Sequence, residues 1–262
     1  MNALKRICGL LTLPLLPAAA SAAFISSLPT APTVDGALLL LNDVSGSIST
    51  SEYNLVTQGY QAAFSDPTIQ NRFNNGSIAV QVIQWDTSSD VSQDWFLIDS
   101  PAAAQQFANI IGSDTRLGFG GTSPDQAISF AAGQASSAIN NGLFNTDTFI
   151  IDIFSDGSGS GFSTRAARDA ALDGPIDTIN AITVGSSSVN NFYANNAIGG
   201  DGAFAVQANS FSDFADVVTD KIDLETSVVI NPVPEPSVYL GGITALGLLF
   251  AIQRKQKAKR AS

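Results

Sequence analysis

Short, mostly apolar runs alternate with amphipathic stretches along most of the 262-residue chain. Four of these runs predict buried strands, at 37–41, 78–85, 148–154 and 178–184. A continuous apolar run is typical of a strand that is covered on both faces, as in a parallel sheet. A fifth run, at 94–98, is separated from its predecessor by a polar turn and predicts an antiparallel neighbour.

The segments between these strands carry the end signals and the spacing of helices. Ser49 and Glu52 match a capping box, which predicts a helix that ends near Asp66. Pro124 lies at the first position of another predicted helix, where its missing N–H costs little. Further helices are predicted at 102–111, 164–172 and 211–224, and a short strand at 203–207. This alternation predicts an α/β fold with a doubly wound, mostly parallel central sheet flanked by helices and one antiparallel edge strand.

Both ends of the chain depart from this pattern. Residues 1–23 combine Lys5 and Arg6 with an apolar stretch and a small-residue cleavage site after Ala22 or Ala23. This order is typical of a secretory signal peptide. Residues 237–262 hold a short apolar segment and then a basic tail, which is typical of a membrane span with a cytoplasmic C-terminus.

The tripeptide Pro234-Glu235-Pro236 immediately precedes that C-terminal segment. Together, the motif, the short span and the basic cluster resemble the PEP-CTERM sorting signal of Gram-negative bacteria; an ordinary tail anchor is the alternative. The resemblance implies transient anchoring in the inner membrane, processing by an exosortase, and a final location at the cell surface or in the extracellular matrix. Between the two ends we expect a lead-in segment at 24–34, the α/β domain at 35–226 and a linker at 227–236.

The composition restricts the kinds of partner and site that the exported part of the chain can have. The chain has 23 acidic and 12 basic residues, and seven of the basic residues lie in the two terminal segments. The strongly acidic remainder argues against nucleic-acid binding and favours divalent cations as partners. The chain has no histidine, and its single cysteine, Cys8, belongs to the signal peptide. This argues against Ser-His-Asp or Cys-His catalysis, against zinc sites with Cys or His ligands, and against disulfides.

Three loops of the predicted domain carry oxygen-bearing side chains. Asp43, Ser45 and Ser47 follow the first strand, Thr122 follows a glycine-rich loop, and Asp156 follows the strand at 148–154. Because ligands of open parallel sheets bind at the carboxyl ends of the strands, we expect these groups to meet there. The pattern Asp-x-Ser-x-Ser, a distant Gly-Gly-Thr and a distant Asp-Gly resembles the metal-ion-dependent adhesion site (MIDAS) of von Willebrand factor type A (VWA) domains.

The VWA resemblance covers about residues 35–226 and implies a bound Mg²⁺, with Mn²⁺ or Ca²⁺ as alternatives. It implies that the three hydroxyls bind the ion and that Asp43 and Asp156 bind directly or through water. Such hard cations prefer oxygen ligands, and a carboxylate of a partner can complete the shell. Taken singly, each group has a simpler explanation, as a turn residue or, for Thr122, as a helix N-cap.

These features predict an exported adhesion or recognition domain, not an enzyme, that binds an extracellular protein or matrix ligand through a carboxylate. One alternative is a structural component of an exopolysaccharide or biofilm matrix, in which the metal only stabilises the fold. Another is a hydrolase that uses Asp156 or Asp152 with a metal-activated water, which a single ion and the lack of a base disfavour.

Two further segments carry separate expectations. Asp152 lies between isoleucines in an apolar strand, which predicts either a buried partner such as Arg165 or Arg168, or emergence at a helix interface. The sequences FIIDIFSDGSGSG and NNFYANNAIGGDGAFAV resemble bacterial secreted type A domains of undefined function. That resemblance places residues 193–204 in a late loop and strand.

Overall fold

Seven strands form one mixed sheet in the computed structural model, which describes residues 23–230. They are β1 (Gly36–Asp43), β2 (Ile78–Trp85), β3 (Ser89–Ile98), β4 (Phe149–Ser155), β5 (Thr178–Val184), β6 (Gly199–Gly200) and β7 (Ala205–Ala208). The order across the sheet is β3-β2-β1-β4-β5-β6, and β7 also pairs with β5. The pairings of β1 with β2 and β4, and of β5 with β4 and β7, are parallel, whereas β3 and β6 pair antiparallel. The predicted fold class is therefore confirmed.

Helices cover both faces of the sheet. They are α1 (Thr50–Ser65), α2 (Pro67–Arg72), α3 (Pro101–Gly112), α4 (Pro124–Asn140), α5 (Gly161–Leu172), α6 (Ser187–Asn196) and α7 (Phe214–Ile230). One apolar core joins the sheet to α1, α3 and α7, and a second joins it to α4, α5 and α6. Because successive side chains of a strand point to opposite faces, Leu38 and Leu40 enter the first core, and Leu39 and Leu41 the second.

The capping box predicted for α1 is present. The Ser49 hydroxyl accepts a hydrogen bond from the Glu52 N–H at 3.2 Å, and the Glu52 carboxylate accepts one from the Ser49 N–H at 2.8 Å. These bonds satisfy two backbone donors that an uncapped helix would leave without partners. The start of α1 is thereby fixed at Thr50, seven residues after β1 ends.

Two helices differ from the sequence-based expectation. Residues 193–204 were expected to form a loop and a strand, but Tyr193 is the buried anchor of α6. The segment SSVNNFYANN has too few apolar residues to show a helical period, so its helix depends on tertiary packing. The short helix α2 follows α1 because Asp66 ends α1 and its carboxylate then accepts a hydrogen bond from the Thr68 N–H at 2.7 Å.

The segments at the two boundaries of the domain also differ. The predicted linker begins at 227, yet α7 continues to Ile230, which is buried against Gly76. The lead-in at 24–34 is partly structural, because Ile25 is buried in the core and Phe24 packs edge-on against Phe96. The packed domain therefore extends beyond both predicted boundaries.

The predicted signal peptide and sorting signal fall almost entirely on residues 1–22 and 231–262, which lie outside the described residues. Within residues 23–230, no helix has the length and apolar character needed to cross a membrane.

The partner expected for Asp152 was wrong. Asp152 is fully buried, and its carboxylate lies 2.7 Å from the amine of Lys221 on α7. Arg165 instead donates a hydrogen bond to Asn196, and Arg168 pairs with Asp169. Asp152 points into the core that holds α7, whereas α5 lies on the opposite face of the sheet, out of its reach.

A second buried carboxylate, Asp114, joins α1, β2 and β3. It follows α3 and accepts hydrogen bonds from the Tyr53 hydroxyl, the Gln84 amide, the Ser92 hydroxyl and the Gln93 amide, at 2.8 to 3.0 Å. Each donor is neutral, so the carboxylate is stabilised by hydrogen bonds and not by an opposite charge.

We expect Asp114→Ala to lower the free energy of unfolding by roughly 2–4 kcal/mol, because several buried donors would lose their acceptor together. Urea denaturation followed by circular dichroism measures the change. Asp147→Ala, at an exposed carboxylate, is the control and should change stability by less than about 0.5 kcal/mol. Equal effects of the two substitutions would show that the Asp114 network does not support the fold.

Candidate metal centre

The candidate centre lies where β1 and β4 end at the same edge of the sheet. The two strands are parallel neighbours, and Asn42 of β1 pairs in register with Phe154 of β4. Asp43 is the last residue of β1, and Asp156 follows the last residue of β4. The strand order therefore brings two carboxylates together that are far apart in sequence.

Asp43 is fully buried and both its oxygens accept hydrogen bonds. One bond comes from the Ser45 N–H at 2.7 Å, and the other from the Ser155 hydroxyl at 2.5 Å. Burial raises the pKa of Asp43 to about 7, although these hydrogen bonds act in the opposite direction. No cationic side chain among residues 23–230 forms an ion pair with Asp43.

The two serines after Asp43 form a chain of hydroxyls that reaches Asp156. The Ser45 and Ser47 hydroxyls lie 3.1 Å apart, and Ser47 donates a hydrogen bond to Asp156 at 2.7 Å. Asp156 is only half-buried, and burial raises its pKa above the ordinary value. This end of the chain of hydroxyls faces solvent, because Ser47 is exposed.

Thr122 lies on the third loop, beside Gly157. A Cβ atom added at Gly157 would lie 3.1 Å from the Thr122 hydroxyl, so glycine allows this close approach. Thr122 is not the N-cap of α4; Ser123 has that position, and its side chain makes no capping hydrogen bond. The helix-cap explanation for Thr122 is therefore wrong, and the structure places its hydroxyl next to the Asp156 loop.

The sequence reasoning missed Asp86, which holds the glycine-rich loop. Its carboxylate accepts hydrogen bonds from the N–H groups of Phe119 and Gly120, at 3.1 and 2.7 Å. Partial burial acts to raise the pKa of Asp86, but hydrogen bonds from Ser88 and the loop lower it overall. The available signal was its position, because Asp86 directly follows β2 at the same edge of the sheet as Asp43.

Arg116 was also missed, and it joins two of the three loops. Its guanidinium donates hydrogen bonds to the carbonyl oxygens of Val44 and Ser45, at 2.8 and 2.6 Å. The same guanidinium lies 4.0 Å from the ring centre of Phe119. Arg116 therefore fixes the backbone of the serine loop against the glycine-rich loop without approaching the carboxylates closely enough to pair with them.

The donor set fits a hard divalent cation. Its members are two carboxylates and three hydroxyls, and such oxygen ligands are those that Mg²⁺ and Ca²⁺ prefer. In residues 23–230, no three acidic, histidine or cysteine side chains gather as a metal-binding group, so the hydroxyls are needed to complete this set. The buried Asp43 carboxylate without a cationic partner is the observation that fits a cation best.

The fold is that of VWA domains. It is similar to von Willebrand factor type A from Catenulispora acidiphila, with a TM-score of 0.50 and 12% identity over 74% of this chain and 42% of the other. Proximal thread matrix protein 1 (PTMP1) from the mussel byssus gives a TM-score of 0.54 with 15% identity over 75% of this chain. This chain covers 49% of PTMP1, about half of its length.

The pilus adhesin SpaC from Lactobacillus rhamnosus GG shares the fold as well, with a TM-score of 0.50 and 13% identity. That match covers 78% of this chain and 31% of SpaC. At these identities the likeness concerns the fold alone. Among curated proteins, no sequence matches this chain. Residues 33–230 match the family described as protein of unknown function (DUF1194), and the chain belongs to that family.

Proposed function

We propose that this protein is an exported recognition domain that binds a carboxylate of an extracellular protein or matrix ligand through a divalent cation. The cation would be held by Asp43, Ser45, Ser47, Thr122 and Asp156. The observation that carries the proposal is a buried carboxylate without a cationic partner, Asp43, beside a chain of hydroxyls that reaches Asp156, with Thr122 next to the Asp156 loop.

The charge balance of this donor set favours recognition of an anion. When bound, the cation would supply a positive centre to which a carboxylate from outside can bind. Two of the protein's five ligands are carboxylates and three are neutral, so the protein's charges only just balance a divalent ion. Mg²⁺ suits such a set, because it binds few carboxylates and keeps places for water or ligand; Mn²⁺ and Ca²⁺ are alternatives.

The protein's own groups would prepare the centre for this role. Ser155 holds the Asp43 carboxylate in place, and Arg116 holds the backbone of the serine loop. Asp86 holds the glycine-rich loop that ends at Thr122. Because these supports are formed within the protein itself, little ordering should be needed when the cation and the ligand bind.

The location rests on the two predicted terminal signals. The signal peptide at 1–23 would direct export, and the PEP-CTERM-like segment at 237–262 would bring the protein to the surface of a Gram-negative cell or to its matrix after exosortase processing. Two proteins with a similar fold carry names that refer to a matrix and to pilus adhesion. These names agree with a binding role and favour it over catalysis.

We expect binding to extracellular matrix material to require a divalent cation and the acidic ligands. EDTA or Asp156→Asn should lower the affinity of the purified protein for isolated matrix at least tenfold, which is about 1.4 kcal/mol. Asp147→Asn makes the same chemical change at an exposed carboxylate outside the site and is the matched control. A binding assay with and without Mg²⁺ measures the difference.

The same assay distinguishes metal-dependent recognition from the main alternative, a purely structural metal. If the metal only stabilises a structural matrix component, EDTA will lower the melting temperature but leave matrix binding unchanged while the protein stays folded. Unchanged binding by both Asp43→Ala and Asp156→Asn, with the fold intact, would show that recognition does not use this centre.

We expect the stabilisation by Mg²⁺ to depend on pH. Because burial raises the pKa of Asp43 to about 7, the apo protein holds a proton there that the unfolded chain releases near pH 4. Asp43 therefore makes the apo protein less stable as the pH rises from about 4 to 7, and Mg²⁺ binds the ionised form. The increase in melting temperature on adding Mg²⁺ should be larger at pH 8 than at pH 5.

Thermal unfolding with Mg²⁺ and with EDTA at both pH values measures this effect. Asp43→Asn keeps the size of the side chain and should remove most of the Mg²⁺-dependent increase at pH 8. An equal increase at both pH values in the unsubstituted protein would contradict a centre that contains Asp43.

A further inference from the structure

The second buried charge cluster lies between β4 and α7, on the other face of the sheet from Asp43. Lys221 is fully buried, and its Nζ lies 2.7 Å from Asp152 Oδ1. The same Nζ contacts Glu225, one turn further along α7. All three side chains are at most 3% exposed.

The surroundings of this cluster are apolar and aromatic. The Lys221 amine lies 5.4 Å from the ring centre of Phe204, and the buried Tyr60 hydroxyl has no hydrogen-bond partner among the described residues. Two carboxyl groups share one amine, so full ionisation would leave an uncompensated negative charge in the core. Burial in this medium raises the pKa of both carboxyl groups and so favours their neutral form.

The hydrogen bonds of the cluster are incomplete for a purely structural ion pair. Within residues 23–230, neither oxygen of Asp152 accepts an aligned hydrogen bond, although Nζ lies within ion-pair distance of one of them. Glu225 is held on one side only, where Oε1 accepts a hydrogen bond from the Asn180 amide at 2.7 Å. Buried carboxylates that serve stability alone normally have partners for both oxygens.

The geometry also places a nucleophile beside a carboxyl carbon. Because Cγ of Asp152 is one bond from Oδ1, the amine nitrogen lies at most about 4 Å from that carbon. Reacting atoms in well-oriented intramolecular reactions lie about 3–3.5 Å apart. Small side-chain movements within the core would bring Lys221 into that range.

We propose that Lys221 and Asp152 condense to form an intramolecular amide bond, with Glu225 as the group that transfers the proton. This bond would join α7 covalently to the central strand β4. The proposal uses none of the residues of the candidate metal centre and does not depend on the proposed function.

The reaction balances without an oxidant or a co-reactant. A proton first passes from the Lys221 ammonium to the Asp152 carboxylate, which gives a neutral amine and a carboxylic acid. The amine nitrogen then bonds to Cγ, and Glu225 accepts one proton from this nitrogen. Glu225 returns that proton to the departing hydroxyl as the C–O bond breaks, so one water leaves and Glu225 is restored.

A covalent link of this kind would take the place of a disulfide in this domain. The described residues contain no cysteine, so they cannot form a disulfide. The amide bond would close a long loop between residues 152 and 221 and so restrict the unfolded chain, as a disulfide does. It would also remove two buried charges without the cost of keeping them paired.

Mass spectrometry of the full, purified and denatured chain tests the proposal. We expect its mass to be one water molecule below the mass calculated for the residues that it contains. Trypsin should fail to cut after Lys221, because an acylated lysine is not a trypsin site. The digest should contain residues 117–165 joined to the peptide that begins at residue 169 and continues uncut through Lys221.

Two substitutions control the experiment. Lys221→Arg keeps the positive charge but cannot form this amide, so it should have the full mass. Glu225→Gln leaves one balanced ion pair, so the domain should fold, as circular dichroism can check, but it should lose no water and be cut after Lys221. A mass loss that persists in Lys221→Arg would place the dehydration elsewhere, for example at Asp156-Gly157, and would overturn the proposal. Unmodified protein of full mass that is cut after Lys221 would identify an ordinary ion pair and would also overturn it.

Discussion

The parallel pairing of β1 with β4 is the constraint on which the candidate centre depends. This pairing places the end of each strand at one edge of the sheet, and the hydrogen bond from Ser155 to Asp43 joins the two ends directly. Asp43 can be buried there only because its oxygens receive that bond and the bond from the Ser45 N–H. Without this pairing, the loop that carries the Ser45 and Ser47 hydroxyls would not lie next to the loop that carries the Asp156 carboxylate.

The loops around this junction are held by groups that do not belong to the donor set. Asp86 binds the backbone of the glycine-rich loop, and Arg116 binds the carbonyl groups of the serine loop. Gln84 connects the loop that contains Arg116 to the buried Asp114. Its amide donates a hydrogen bond to Asp114 and accepts one from the Leu117 N–H at 2.7 Å. The rigidity of the edge therefore comes from buried polar contacts as well as from apolar packing.

The sequence predicted the parts of this fold that carry local signals. The central strands are continuous apolar runs, and the start of α1 has a capping box, so both could be found without tertiary information. Helix α6 could not, because its segment is rich in asparagine and its only large buried side chain is Tyr193. The residues of the candidate site could be named from a pattern, and their convergence follows from the strand order. The position of Asp86 after β2 was a signal that it lies at this edge, but its hydrogen bonds to the glycine-rich loop depend on how a distant loop folds back onto β2.

The partner of Asp152 shows why charge is harder to predict than apolar pattern. An acid in an apolar strand indicates that some compensation is needed, but it does not indicate which of several basic residues supplies it. Two buried carboxylates of this domain, Asp152 and Asp43, differ in the groups that surround them. Asp152 faces the core that contains α7 and receives an internal amine from Lys221, whereas Asp43 faces the open edge and has no such amine. The carboxylate inside the core is thus compensated within the chain, whereas the proposed function assigns the compensation of the one at the edge to a cation from solution.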